Sequence, residues 1–143
     1  MTEGTGTLDQ QLWDLVYAYD AAYDRAAQQA GLSAAQACLL DSLTGGDRAM
    51  GELAADLLCD ASNVTQLVAR AEGRGWVTRA PDPADRRVKR VSITPAGRRV
   101  HREVRQAFGF PAARLARLSA GERHQLSGLL GKLLAADPPA DPA

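Results

Sequence analysis

A helix, a glycine break and a basic hairpin follow one another in fixed order between Asp60 and Thr94, and they limit this chain more than anything else in it. A polar run, Ser62-Asn63-Val64-Thr65-Gln66, passes into Leu67-Val68-Ala69-Arg70-Ala71-Glu72, with Val64, Leu67, Val68 and Ala71 spaced to share one helical face. Gly73 and Gly75 end that helix. Trp76-Val77-Thr78-Arg79 and Lys89-Arg90-Val91-Ser92-Ile93 alternate as strands, and Pro81-Asp82-Pro83-Ala84-Asp85 makes the turn-rich loop between them. Thr94 can then cap a new helix, with Pro95 at its first position.

The flanking sequence is helical. Leu8, Leu12, Leu15, Tyr19, Ala22 and Ala26 recur every three or four residues up to Gly31, which predicts a first amphipathic helix over 8–30. Ser33 with Gln36 is a capping box and opens a second helix through Leu40 and Leu43. A turn at Thr44-Gly45-Gly46-Asp47 leads to a short third helix at 50–57, for which Ala49 is a poor cap. Leu58-Cys59 reads as a tight turn and Asp60 as the cap of the fourth helix. The fifth helix carries Val100, Val104 and Phe108, and Pro111 should kink or end it. A second capping box, Ser119 with Glu122, opens a last helix striped by Leu126, Leu129, Leu130, Leu133 and Leu134. Residues 137–143 are expected to be disordered. The expected fold is therefore mainly α with a small β-hairpin.

Charge is distributed unevenly within a chain of 143 residues and zero formal net charge. Residues 1–61 sum to −8, residues 62–105 to +7 and residues 106–143 to +1. A basic block inside a neutral chain is the footprint of a polyanion partner. No apolar run approaches the roughly 20 residues of a membrane span. The N-terminal residues lack the basic and then apolar order of a signal peptide. A cytoplasmic protein is the expectation. Two cysteines, Cys38 and Cys59, are too few for a disulfide framework.

Two short helices joined by a tight turn, the second opening on small polar residues, form a helix-turn-helix. A helix N-terminus attracts phosphate through its free N–H groups and dipole. Ser62, Asn63, Thr65 and Gln66 are short enough to bring that helix against base edges, where Asn and Gln can bond adenine and a Thr methyl can meet thymine. Arg86, Arg87 and Lys89 put positive charge at the hairpin tip, suited to the negative potential of a narrow minor groove. The expected partner is double-stranded DNA. Arg74 joins these candidates, as does Arg70, whose plain alternative is a phosphate contact alone.

Residues 32–97 resemble the winged helix-turn-helix core of the MarR family of bacterial transcription regulators. The resemblance rests on Glu52-Leu53-Ala54, Ser62-Asn63-Val64-Thr65-Gln66-Leu67-Val68, Arg70 through Arg79, Asp82-Pro83-Ala84-Asp85-Arg86-Arg87 and Val91 through Gly97. It implies a recognition helix at 60–74, a wing tipped by Arg87, and an Arg70–Asp85 ion pair that fixes the wing angle. It also implies a homodimer held by the terminal helices, 8–30 and 98–136, acting as a repressor on a palindromic operator. Leu58, Gln66 and Ala69 depart from the usual family residues, which bears on the operator sequence.

Members of that family often release DNA on binding a small aromatic or anionic effector. Trp13, Tyr17, Tyr23, Cys38 and Phe108 are the candidate lining, against the plainer reading of core and interface aromatics. The alternatives are an effector-independent or architectural DNA-binding protein, a protein-interaction module on the same fold, and a cysteine-based redox sensor. Cys38 and Cys59 fit apolar slots better than a sensor. His101 and His124 stand apart from any Cys or carboxylate at metal-ligand spacing, so no metal or other cofactor is expected. No nucleophile–base pair or phosphate loop suggests an enzyme.

Overall fold

The structure, a computed structural model, describes residues 3–57 and 61–136. In chain order the elements are α1 (Glu3–Gln29), α2 (Ala34–Ser42), β1 (Arg48–Ala49), α3 (Met50–Asp56), α4 (Ala61–Gly73), β2 (Val77–Pro81), β3 (Lys89–Ile93), α5 (Pro95–Ala107), α6 (Phe110–Leu115) and α7 (Ala120–Leu134). The fold is mainly helical with one small antiparallel sheet of order β1-β3-β2. Two compact units divide the chain, Met1–Gly109 and Phe110–Ala143.

The first unit has one apolar core. Leu39, Leu40 and Leu43 of α2 and its C-cap, Leu53 of α3, Val64, Val68 and Ala71 of α4, and Val77 and Val91 of the sheet are all nearly inaccessible. Val100 and Val104 close it from α5. Both predicted caps here are made. Ser33 Oγ accepts from the Gln36 amide at 3.1 Å while the Gln36 side chain accepts from the Ser33 amide at 3.0 Å. Thr94 Oγ1 accepts from the Gly97 amide at 3.0 Å. The expected turn at Leu58-Cys59 and the Asp60 cap lie outside the described residues, as does the 137–143 tail.

Three differences from the sequence reading have physical causes. α1 begins five residues earlier, at Glu3, because nothing from Glu3 to Leu8 breaks a helix except two tolerated glycines. β1 was not expected: Arg48 pairs with Val91 and Ala49 with Arg90. That pairing explains how α3 starts without a side-chain cap at Ala49, since the strand bonds anchor its entry. α6 is also additional. α5 ends at Ala107 with Phe108 as its cap, and Pro111 then occupies the first turn of a new short helix, where its missing N–H costs nothing.

Gly75 makes the corner between α4 and the wing. Its φ of +76° is a left-handed conformation that glycine adopts without strain. The amides of Gly75 and Trp76 donate back to Glu72 and Ala71 carbonyls at 2.9 and 3.0 Å. Gly97 then brings α5 against this corner so closely that a Cβ there would sit 2.2 Å from the Trp76 carbonyl oxygen.

The second unit, taken by itself, is α6, a turn and α7. Arg114 stacks on the Phe110 ring at 4.7 Å. The Ser119–Glu122 capping box is complete, at 2.9 and 3.2 Å.

Candidate nucleic-acid interface

α4 presents two polar edges and one buried face. Val64, Val68 and Ala71 point into the core, while Ser62, Asn63, Thr65, Gln66, Ala69 and Arg70 are exposed. On a 3.6-residue helix Ser62, Thr65, Gln66 and Ala69 share one edge, and Asn63, Gln66, Leu67 and Arg70 share the next. The first edge is open surface. The second lines a cavity of about 550 Å3 together with Cys38, Asp41 and Ser42 of α2 and Asp56 and Leu57 at the end of α3.

The wing is β2 and β3, paired in register from Val77↔Ile93 to Pro81↔Lys89. Its tip is an ordered turn. Asp82 Oδ1 accepts from the Ala84 amide at 2.8 Å, the Asp82 amide donates to Val88 O at 2.8 Å, and the Val88 amide donates to Asp85 O at 2.9 Å. Arg86, Arg87 and Lys89 are exposed around it, and the Arg87 side chain is 93% accessible. Arg90, one pair below the tip, braces the wing, 3.4 Å from Asp82 Oδ2 and donating to the Asp47 carbonyl at 3.0 Å. Ser92 donates to Asp47 Oδ1 at 2.8 Å. The Asp82 carboxyl lies below its usual range, chiefly because the Ala84 amide bonds its charged form.

The expected Arg70–Asp85 ion pair is not made. Asp85 instead accepts from its own turn, from the Arg87 amide at 3.1 Å and from Arg87 Nε at 3.4 Å. Among the described residues Arg70 has no ion pair. The helix–wing tie comes from residues the sequence reading left out. Arg79 of β2 meets Glu72 of α4, with Nη2 2.9 Å from Oε1 and the backbone amide 3.2 Å from Oε2. Its guanidinium holds the Glu72 carboxyl below the usual carboxylate range. An acid and a base seven residues apart across a Gly-x-Gly break were visible as a pattern, but only the corner at Gly75 brings them face to face.

Arg74 lies apart from the other candidates. Its guanidinium stacks on the Trp76 ring at 4.5 Å, at the far end of α4 from Ser62. Of the five expected effector-lining residues, Tyr23, Phe108 and Cys38 come together, while Trp13 and Tyr17 stand apart. Tyr23 and Tyr19 pack edge-on against Phe108 at 5.1 and 5.0 Å. Tyr23 and Cys38 are both half-buried, and burial raises both groups above their ordinary pKa values. Trp13 and Tyr17 stack on each other at 5.8 Å and stay 59% and 66% exposed, about 2.8 and 1.7 turns along α1 from Tyr23. Of the five, only Cys38 lines the observed cavity. A thiol raised in this way carries little thiolate near neutral pH, which is poor chemistry for an oxidant sensor. Cys59 lies outside the described residues. Among the described residues no three His, Cys, Asp or Glu side chains cluster to hold a metal, and no helix is long and apolar enough to cross a membrane.

The family model described as MarR family matches residues 30–88. An uncharacterized HTH-type transcriptional regulator, YsmB, from Bacillus subtilis is 41% identical over 59 residues, which cover 41% of this chain and 40% of that protein. The transcriptional activatory protein BadR of Rhodopseudomonas palustris is 35% identical over 80 residues, covering 53% and 46%. The matches thus span less than half the length of these curated relatives. The fold match is broader. A mutant of MarR from E. coli, complexed with operator DNA, superposes over 90% of this chain and 94% of its own, with TM-score 0.73 and 26% identity. The chain thus carries a MarR-family segment at residues 30–88 within a fold that matches E. coli MarR over 90% of its length.

Proposed function

We propose that this chain is a DNA-binding transcriptional regulator that acts as a homodimer on a palindromic operator, represses from it, and is released by a small molecule. One observation carries the DNA reading. The Glu72–Arg79 pair ties the wing to α4, so the open Ser62–Thr65–Gln66 edge and the projecting Arg87 form one rigid unit. Such a unit suits a helix in the major groove with an arginine in the adjacent minor groove. The solved MarR complex with operator DNA shares this fold. MarR-family proteins are transcriptional regulators, not enzymes, and no reaction is assigned.

The dimer reading rests on exposed apolar surface. Leu8, Leu12, Leu15 and Val16 of α1 are 39–57% exposed, and Leu129, Leu133 and Leu134 of α7 are 58–82% exposed. Large contiguous apolar faces of this kind mark interaction surfaces. A second copy would set two recognition helices roughly 34–36 Å apart, one turn of DNA. Activation is the second reading of sign, because BadR is named as an activatory protein.

The test is binding of the purified protein to a fragment of its own upstream region, titrated over salt, with the mass of the complex measured by sedimentation. Two copies protecting a palindrome, with affinity falling steeply as salt rises, is the expected result. Weak binding that ignores sequence would instead support an architectural protein. Absence of binding at low salt would overturn the DNA reading.

A further inference from the structure

The outer part of the wing extends past the strand that supports its base. β1 is two residues long, and its pairing runs from Arg48↔Val91 to Ala49↔Arg90. From Lys89 to the tip the wing is a two-stranded ribbon, and a two-stranded hairpin is marginal by itself. Its tip must nonetheless carry Arg87 in a fixed direction if that side chain is to work beside α4.

The Arg90 side chain crosses that gap. β3 turns Val91 into the core, so Arg90 and Ser92 stand on the opposite face. From there Arg90 Nη2 donates to the Asp47 carbonyl at 3.0 Å, on the base side, and Nη1 lies 3.4 Å from Asp82 Oδ2, on the tip side. Asp82 holds the tip turn in its turn, accepting from the Ala84 amide and donating its own amide to Val88 O, both at 2.8 Å. Asp47 is fixed at the base by the Ser92 hydroxyl, which donates to Oδ1 at 2.8 Å. One planar guanidinium thus spans the wing from the turn before β1 to the turn that carries Arg87. By charge alone Arg90 would count among the DNA cations. Two of its nitrogens are instead committed within the protein.

We infer that Arg90 is a positioning residue for DNA recognition: held between Asp47 and Asp82, it fixes the direction in which the wing tip presents Arg87. The brace stands on these contacts alone; its part in recognition rests on the regulator reading above.

Arg90→Lys keeps the charge and loses the fork, because an ammonium is a point donor and does not span both oxygens. In the full chain without DNA, amide hydrogen exchange at Ala84 and Val88 should speed up in this variant, while the Val64 and Val68 amides keep their protection. Binding to a duplex fragment of the chain's own upstream region should weaken by about tenfold, and by less than about twofold once Arg87→Ala is already present. Asp47 supplies a second pair of variants with equal charge. Asp47→Ala deletes the acceptor for Ser92 and should weaken the duplex, whereas Asp47→Asn keeps an acceptor oxygen and should bind at least as tightly as wild type. Removing an acid from a basic wing strengthens attraction for phosphate, so a loss in Asp47→Ala has the sign opposite to bare electrostatics. Unchanged exchange at Ala84 and Val88 in Arg90→Lys (or, should that variant not fold, in Asp47→Ala) would overturn the brace. Arg90→Lys binding the duplex like wild type, or costing as much with Arg87→Ala as without it, would overturn the positioning role, as would Asp47→Ala binding as tightly as Asp47→Asn. A wild-type chain that binds no duplex at low salt would sink the regulator reading and the positioning role with it, and exchange would still decide the brace.

Discussion

Replacing Gly97 by alanine tests the corner that orients the wing. The added Cβ would lie 2.2 Å from the Trp76 carbonyl oxygen, 2.8 Å from Ile93 Cγ1 and 3.0 Å from the Trp76 carbonyl carbon, where ordinary contact begins near 3.4 Å. Two of these atoms are backbone and cannot swing aside. Relief requires α5 to move off the corner by roughly 1 Å, a shift that close-packed interiors resist. The same move strains three bonds: Thr94 N to Trp76 O at 2.9 Å, Thr94 Oγ1 to Gly75 O at 2.6 Å, and the cap from Gly97 N to Thr94 Oγ1 at 3.0 Å. Overpacking costs about 1–3 kcal/mol. A lost cap costs about 1 kcal/mol and a lost backbone bond about 1 kcal/mol more. Against this, alanine is better than glycine inside a helix by about 1 kcal/mol. The net is a loss of about 2–4 kcal/mol, or a fall in Tm of about 5–15 °C for a chain this size. Gly51, in α3, has nothing within 4 Å of its hypothetical Cβ and serves as the control. Gly51→Ala should hold or raise stability by up to about 1 kcal/mol. Thermal and urea unfolding followed by circular dichroism measure both. A Gly97→Ala protein as stable as Gly51→Ala would refute the close approach and the rigid corner built on it.

Arg87→Ala should weaken operator binding and lower the slope of log affinity against log salt by about one; an unchanged slope would place that side chain off the phosphates and grooves. Glu72→Gln should lower operator affinity by loosening the wing while leaving the far-ultraviolet spectrum intact, and equal affinity would show that the wing needs no tie. The pH dependence has a definite sign. Because Arg79 depresses the folded-state pKa of Glu72, its contribution is present above the ordinary carboxylate range and disappears as pH falls through the folded value. The stability difference between wild type and Glu72→Gln should therefore shrink on acidification, and a constant difference would contradict the ion pair. In a Cys59→Ser background, Cys38 should react with a maleimide near neutral pH more slowly than in urea, since burial raises its thiol. Labelling at the unfolded rate would remove the argument against a sensor.

What the sequence revealed was what periodicity and local chemistry encode. The capping boxes at Ser33 and Ser119, the Thr94-Pro95 start and the breaks near Gly31 and Gly75 each depend on residues a few positions apart, and each is present in the fold. β1 escaped because two residues hold no period; Arg48 and Ala49 become a strand only when β3 arrives beside them. The stripe of α1 was legible as amphipathic, but periodicity does not say what covers it. Its C-terminal end meets the core through Ala26 and Ala27, while Leu8, Leu12 and Leu15 remain exposed. The effector-lining set divides in two for a related reason. Composition gathers Trp13, Tyr17 and Tyr23 onto one helix, but the helix rise separates the Trp13–Tyr17 pair from the Tyr23–Phe108 contact.

Ion pairs were the least legible feature, and the cause lies in the number of possible partners. With 17 basic and 17 acidic residues, almost any arginine has a plausible acid nearby in sequence, and the choice among them is made by backbone geometry. Here the turn at Gly75 carries Arg79 back onto Glu72, and the tight wing turn keeps Asp85 with Arg87. Asp85, the acid expected to hold Arg70 against the wing, is thereby engaged elsewhere. Among the described residues Arg70 is left with no ion pair, on the exposed edge of α4. Pairing it firmly within the chain, as Leu67→Glu one turn before it on the same edge would, should withdraw it from phosphate and lower operator affinity. Operator affinity unchanged in that variant would show that the guanidinium has no part in holding DNA.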